Sequence, residues 1–412
     1  MFQRREFLAA LGLGVGSLTL TGVGSPVFSP PRLALNRDRL LGMFAMGAYG
    51  DALGSWNEWH GGLSGAIEDP QKAALRGSGK VATNPWGYWI ANDGQKPVVT
   101  DDTAFRVTIL HPFMRHCLEQ QLPITEDGMW HWAAEGKPHS LTHIQTMRLK
   151  QARDWNAMLK AADNQKQHLF YTPAEPVVFG LYTALETAAV HLNKSPAKVY
   201  LHFQAFSKLD QGSGRALTGL LAAVIAEAHK ADDISLGQFA SWWEATVDSL
   251  LDQFMDSDPN EELKRLIHLK QEAVALADTW PPNLPQQFVS HLRRTHFHDP
   301  RFDTKKQRPY LSELFWVQMC AVVTYAKEDD ALILRILASA AGDSDTMASM
   351  MGSMMGARYG RTLCGKIASL GKLIESDLKA IEAVLSQDFE VELAESAKVF
   401  EGLAKLTCDT KL

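Results

Sequence analysis

Apolar residues recur at three- and four-residue intervals along most of this chain, the period that predicts helices. From Arg37 to Ala52, Leu40, Leu41, Phe44, Met46 and Ala48 follow it, and from Thr103 to Gln120 it returns with Phe105, Val107, Ile109, Leu110 and Phe113. Comparable patterns predict helices at 178–192, 195–207, 214–231, 235–255, 259–278, 311–326, 329–340, 346–359 and 374–386. Strand-like alternation is scarce, so the expected fold is all-α, a single-domain orthogonal helical bundle. Residues 60–99, rich in Gly, Trp and Pro, and residues 279–310, polar with several prolines, break the pattern. Long irregular stretches of this kind within a compact domain often serve as lids or binding loops. A third break at 161–176 is shorter.

Composition narrows the class. Of 412 residues, 46% are hydrophobic and 21% charged, the balance of a globular protein and not of a disordered or fibrous one. A net charge of −6 predicts no general affinity for nucleic acid or an anionic membrane surface. Cys117, Cys320, Cys364 and Cys408 lie far apart without the CxxC spacing of a zinc site, and are read as buried thiols. The first residues have another pattern: Arg4 and Arg5 precede Phe7 and Leu8, then a weakly apolar, glycine-rich run from Ala9 to Val23. This order resembles a twin-arginine export signal, which is either cut at an atypical site or kept as an anchor. Residues 1–34 are accordingly assigned to a signal segment and linker and 35–412 to one domain, with export to the periplasm expected.

Two acidic motifs carry the chemistry. "TDDT", Thr100 to Thr103, and "DSDT", Asp343 to Thr346, each set paired aspartates and threonine hydroxyls at the start of an apolar helix. Such residues are ordinary helix caps, but a cap needs one side chain and each motif offers three or four. If the two helix starts meet, Asp101, Asp102, Asp343 and Asp345 repel one another unless cations neutralise them. Two divalent ions supply that charge, and an all-oxygen ligand set with no His or Cys suits Mg²⁺ or Mn²⁺ and argues against zinc. A third segment, "MGAYGDALGSWNE" from Met46 to Glu58, carries Gly47, Gly50 and Gly54 on a helix face with little bulk. A second such face follows the DSDT motif, where Ala348, Gly352, Gly356 and Gly360 stand four apart.

These three segments, in this order over residues 36–365, resemble the ADP-ribosylglycohydrolase family, of the dinitrogen-reductase-activating and ADP-ribosyl-acceptor hydrolase type. The family patterns are roughly GxxxGDALGxxxE, TDDT and GGDTDTxAxxxGAxxGAxYG. The resemblance implies a central cleft with two Mg²⁺ or Mn²⁺ ions and hydrolysis of the bond between ribose C1″ of ADP-ribose and an acceptor, either an ADP-ribosylated protein or a small ADP-ribose conjugate. By that comparison Thr100, Asp101, Asp102, Asp343, Asp345 and Thr346 are the metal ligands and Glu58 contacts metal or substrate at the cleft mouth. Asp102 or Asp343 is then the general base acting through a metal-bound water. The protein is expected to be a monomer, with no nucleic-acid partner and no membrane contact beyond an uncleaved signal.

The match weakens in the middle of the chain. Where the family carries a glycine-rich segment ending in MR and a later TH dipeptide, residues 172–182 and 206–219 lack that Arg and His, which leaves the acceptor open. Ala341 and Ser344 replace the family's Gly and Thr. A hydrolase of another nucleoside or glycoside is the nearest enzymatic alternative, and a non-catalytic ADP-ribose-like ligand binder or structural protein is the other. Trp56, Trp59, Trp86, Tyr88 and Trp89 are suited either to stacking on a base or sugar or to packing a loop. The methionines at 347–355 are read as adaptable core, and the "HFHD" run at 296–299 as surface loop.

Overall fold

The computed structural model describes residues 33–54, 99–135, 181–207, 212–257, 259–292, 311–340 and 343–409. Glu58, the aromatic residues at 56–89, the HFHD run, the signal-like segment and most of 172–182 lie outside them. Apart from turns and connecting loops, the described residues are helical except for a hairpin of two-residue strands, Ala368–Ser369 paired antiparallel with Lys372–Leu373. The all-α expectation holds.

Two helices form the centre. Helix α1 (Arg37–Gly54) is buried over nearly its whole surface, and the helix Ser344–Tyr359 is buried at every position. A helix without a polar face has to be enclosed by others, and these two enclose each other along their length, in the most extensive contact of any described pair. The small residues make this approach geometrically possible. A Cβ on Gly356 would lie 2.0 Å from the Gly42 carbonyl oxygen, one on Gly352 2.2 Å from that of Met46, and one on Gly50 2.1 Å from that of Ala348. The obstacles are backbone atoms, so no side-chain rotation relieves them. The methionines at 347, 350, 351, 354 and 355 are all buried, as the sequence predicts, and fill the rest of the helix surface.

A third buried helix, Ser213–Lys230, packs against Ser344–Tyr359, Leu181–Ala188 and Pro196–Phe206. More amphipathic helices cover this centre, among them Phe239–Ser257 and Glu261–Asp278, whose inward residues include Trp243, Phe254 and Leu266. The N-terminal end of α1 is tied down by polar contacts. Asn36 Oδ1 accepts from the backbone N–H groups of Asp38 and Arg39, Asp38 accepts from the N–H and hydroxyl of Thr362, and Arg37 pairs with Glu401 at 2.7 Å. Its C-terminal end points to the site described below. Cys117, Cys320 and Cys364 are buried thiols.

Four parts of the chain depart from the expected pattern. Helices Glu126–Glu135 and Leu393–Asp409 add to the predicted set, and Pro285–Leu292 is helical within a stretch predicted to be irregular. Proline at the first helical position costs no hydrogen bond, so its presence there did not exclude a helix. The predicted single helix from Thr103 to Gln120 consists instead of an α turn from Asp101 to Phe105, a π turn from Arg106 to Leu110 and an α-helix from His111 to Gln120.

The backbone contact between the central helices sets a stability expectation. Gly356→Ala should lower the unfolding free energy by about 3 kcal/mol or more, through overpacking against an unyielding carbonyl. Gly371→Ala, where φ is +78° but nothing lies within 4 Å, should cost only about 1 kcal/mol. Denaturant titration of the two variants would show the difference; equal losses would mean that the helix contact is not the constraint.

Candidate functional site

The first component of the site lies where α1 meets the TDDT motif. Asp51, one turn before the end of α1, is fully buried. Its Oδ1 accepts from the Thr100 hydroxyl at 2.6 Å and the Thr100 N–H at 3.1 Å, and its Oδ2 accepts from the Thr103 N–H at 3.1 Å. One carboxylate therefore satisfies backbone donors at the start of the second motif helix, the task usually left to a local cap. Burial pushes the Asp51 carboxyl above its usual range, while the Thr100 and Thr103 donors and the Arg106 charge draw it back down. Thr100 also acts as a cap, accepting from the Asp102 N–H at 3.4 Å.

The DSDT motif is organised differently. Asp343 occupies the N-cap position of the helix Ser344–Tyr359 but makes no capping bond to that helix's N–H groups. Its Oδ1 accepts instead from the Thr346 hydroxyl at 2.6 Å, and Asp345 Oδ1 accepts from the Thr346 N–H at 2.9 Å. Ser344 donates to the carbonyl of Gly54, the last residue of α1, at 3.1 Å. A Cβ on Gly54 would stand 2.4 Å from Asp345 Cα, so glycine is required there for the motif to sit this close. All three sequence motifs converge on one place.

A small cavity, roughly one water in size, joins the two acidic motifs. Asp102 and Thr346 line it together with Arg106, Glu186, Ser349 and Ser353. Asp102 is 4% exposed, Asp345 2% and Thr346 1%, so the two carboxylates lie where an uncompensated charge is costly. Arg106 donates to the Asp102 carbonyl at 3.3 Å, the Thr103 hydroxyl at 3.0 Å, Glu186 at 3.1 Å and Ser353 at 3.2 Å. The other Glu186 oxygen meets His111 Nε2 at 2.8 Å, and His111 Nδ1 meets the Ser396 hydroxyl at 2.9 Å. Burial acts to raise the Glu186 pKa, but Arg106 and His111 outweigh it and hold this carboxyl below its usual range. Because an ionised carboxylate only accepts, His111 donates from Nε2.

Of the residues predicted from sequence, Thr100, Asp102, Asp343, Asp345 and Thr346 are gathered around the meeting point of the motifs. Asp101 begins its helix, its side chain lying outside the description, as does Glu58. Among the described residues no three carboxylates, imidazoles or thiols stand close enough to grip a metal ion by themselves. The donor chemistry nevertheless fits a hard divalent cation. All the donors are oxygens, and Thr100 and Thr346 each give their hydroxyl hydrogen to an aspartate, which turns oxygen lone pairs elsewhere. Asp51, Arg106 and Glu186 were missed as site residues. Asp51 stands in the quoted GDALG segment and could have been noticed there; Glu186, in a separate helix, carries no motif at all.

The geometry can be set beside known proteins. No curated protein sequence matches the chain significantly. A solved structure described as an ADP-ribosylglycohydrolase-related protein complex aligns with 90% of this chain and 98% of its own, at 15% identity and a TM-score of 0.48. The model of the ADP-ribosylglycohydrolase family matches residues 32–370 and so takes in all three converging motifs; the chain belongs to the ADP-ribosylglycohydrolase family.

Proposed function

We propose that this protein is a metal-dependent hydrolase that releases ADP-ribose from an acceptor, the acceptor being an ADP-ribosylated protein or a small ADP-ribose conjugate. The observation that carries the reading is the placement of Asp102 and Thr346, from motifs more than two hundred residues apart, on one small cavity. Asp101, Asp102, Asp343 and Asp345, with the Thr100 and Thr346 hydroxyls, would hold two Mg²⁺ or Mn²⁺ ions. When bound, such ions neutralise the carboxylates and orient ribose hydroxyls.

The chain's own groups have distinct parts in this reading. Asp51 fixes the Thr100 hydroxyl and Thr346 fixes Asp343, so donors from both motifs are held before substrate arrives. Asp102 or Asp343 would take a proton from the attacking water and stabilise positive charge developing at the anomeric carbon. Glu58 is assigned to substrate at the cleft mouth. The twin-arginine-like leader supports export of an already folded enzyme acting in the periplasm, its catalytic domain being residues 35–412, taken as a monomer.

Purified protein supplied with Mg²⁺ or Mn²⁺ should release ADP-ribose from at least one member of a panel of ADP-ribosylated substrates, and Asp345→Ala should abolish release. Turnover of simple glycosides alone would reassign the substrate; tight ADP-ribose binding without turnover would turn the reading to a binder. Chelation should stop activity, and readdition of the ion should restore it. Asp51→Asn leaves one carbonyl oxygen for donors that two carboxylate oxygens now share and should cost about 1.5–3 kcal/mol of stability, measured by denaturant titration, together with a loss of kcat. An unchanged kcat would remove Asp51 from the site's support.

A further inference from the structure

We propose that Arg106 is a positioning residue that preorganises the cation site, acting as a fixed internal cation that joins the TDDT turn to the DSDT helix. The inference rests on the reading that the site holds divalent ions. Arg106 is 5% exposed, and its bonds reach three separate elements. It holds the TDDT turn through the Asp102 carbonyl and Thr103 hydroxyl, the helix Leu181–Ala188 through Glu186, and the helix Ser344–Tyr359 through Ser353. These bonds use four of the five guanidinium N–H donors in a rigid plane, which a lysine cannot reproduce. Asp102 and Thr346 line the same cavity as the guanidinium.

Two further features are built around this side chain. A Cβ on Gly47 would lie 2.4 Å from Arg106 Nη1 and 2.3 Å from Ser353 Oγ, so α1 leaves the room that the pair occupies. The π turn provides the other. In an α-helix, residues five apart are separated by about 140° around the axis. The i→i+5 pattern of a π turn brings them nearer alignment, and here the His111 N–H bonds to the Arg106 carbonyl. Arg106 and His111 thereby grip the two oxygens of one carboxylate, Glu186. The local departure from α geometry aims the arginine, and Glu186 holds it in place.

A merely structural arginine would affect stability alone; a positioning one also affects how tightly ions bind. Mn²⁺ binding by isothermal titration calorimetry, with circular dichroism and melting to confirm folding, should be measured for wild type, Arg106→Gln, Arg106→Lys and Ser353→Ala. Arg106→Gln should weaken Mn²⁺ binding roughly 10- to 100-fold, Arg106→Lys should recover only part of the loss, and Ser353→Ala should weaken it about fivefold, the equivalent of one neutral hydrogen bond. Folded Arg106→Gln with wild-type Mn²⁺ affinity overturns the proposal. Should that variant not fold, unchanged affinity in Ser353→Ala overturns it. Wild-type protein that binds no Mn²⁺ overturns the functional reading itself, and this one with it.

Discussion

The site depends on how closely α1 approaches the helix Ser344–Tyr359. Their backbones are separated by less than a side chain at Gly42, Gly50, Gly352 and Gly356. At this distance the end of α1 and the start of its partner become one surface, with Gly54 against Asp345 and Ser344 bonded to the Gly54 carbonyl. A single added methyl group would separate the helices and, with them, the groups at their ends. Cores pack at crystal-like density and transmit such a displacement instead of absorbing it.

Electrostatics adds a second constraint. Asp51, Asp102, Asp345 and Glu186 are all buried, and each has to be compensated from within. Asp51 is surrounded by hydroxyl and backbone donors, Glu186 by Arg106 and His111, and Asp345 accepts from a backbone N–H. Of these carboxylates, Asp102 and Glu186 line the cavity. Asp51 and Glu186 hold the framework, joining α1 to the TDDT turn and Arg106 to His111. Buried polar groups arranged this way have value mainly as a network, because a half-satisfied one costs more than an apolar core.

Much of this was legible in the chain. Helical periodicity located most of the helices because a half-buried helix has to repeat its apolar face, and the paired aspartates drew attention to two helix starts because their number exceeded what capping needs. The geometry shows which groups cap: Thr100 and, from a distant helix, Asp51 satisfy N–H groups of the TDDT turn and Asp345 accepts from the Thr346 N–H, whereas Asp343 bonds to the Thr346 hydroxyl. The π turn at Arg106–Leu110 was not legible, since a change of hydrogen-bond partner leaves the apolar spacing of Val107, Ile109 and Leu110 nearly intact. Nor was Pro285–Leu292, where prolines suggested a loop.

By itself the sequence determined the helical class, the two smooth faces and the oxygen-rich chemistry of the acidic motifs, because each is written in local spacing and residue type. The tertiary structure decided which groups serve them. Asp51 reaches Thr100 across 49 positions, Arg106 reaches Glu186 across 80 and Ser353 across 247. No local pattern records such pairings; they exist only because two helices without bulk let distant parts of the chain close around one small polar space.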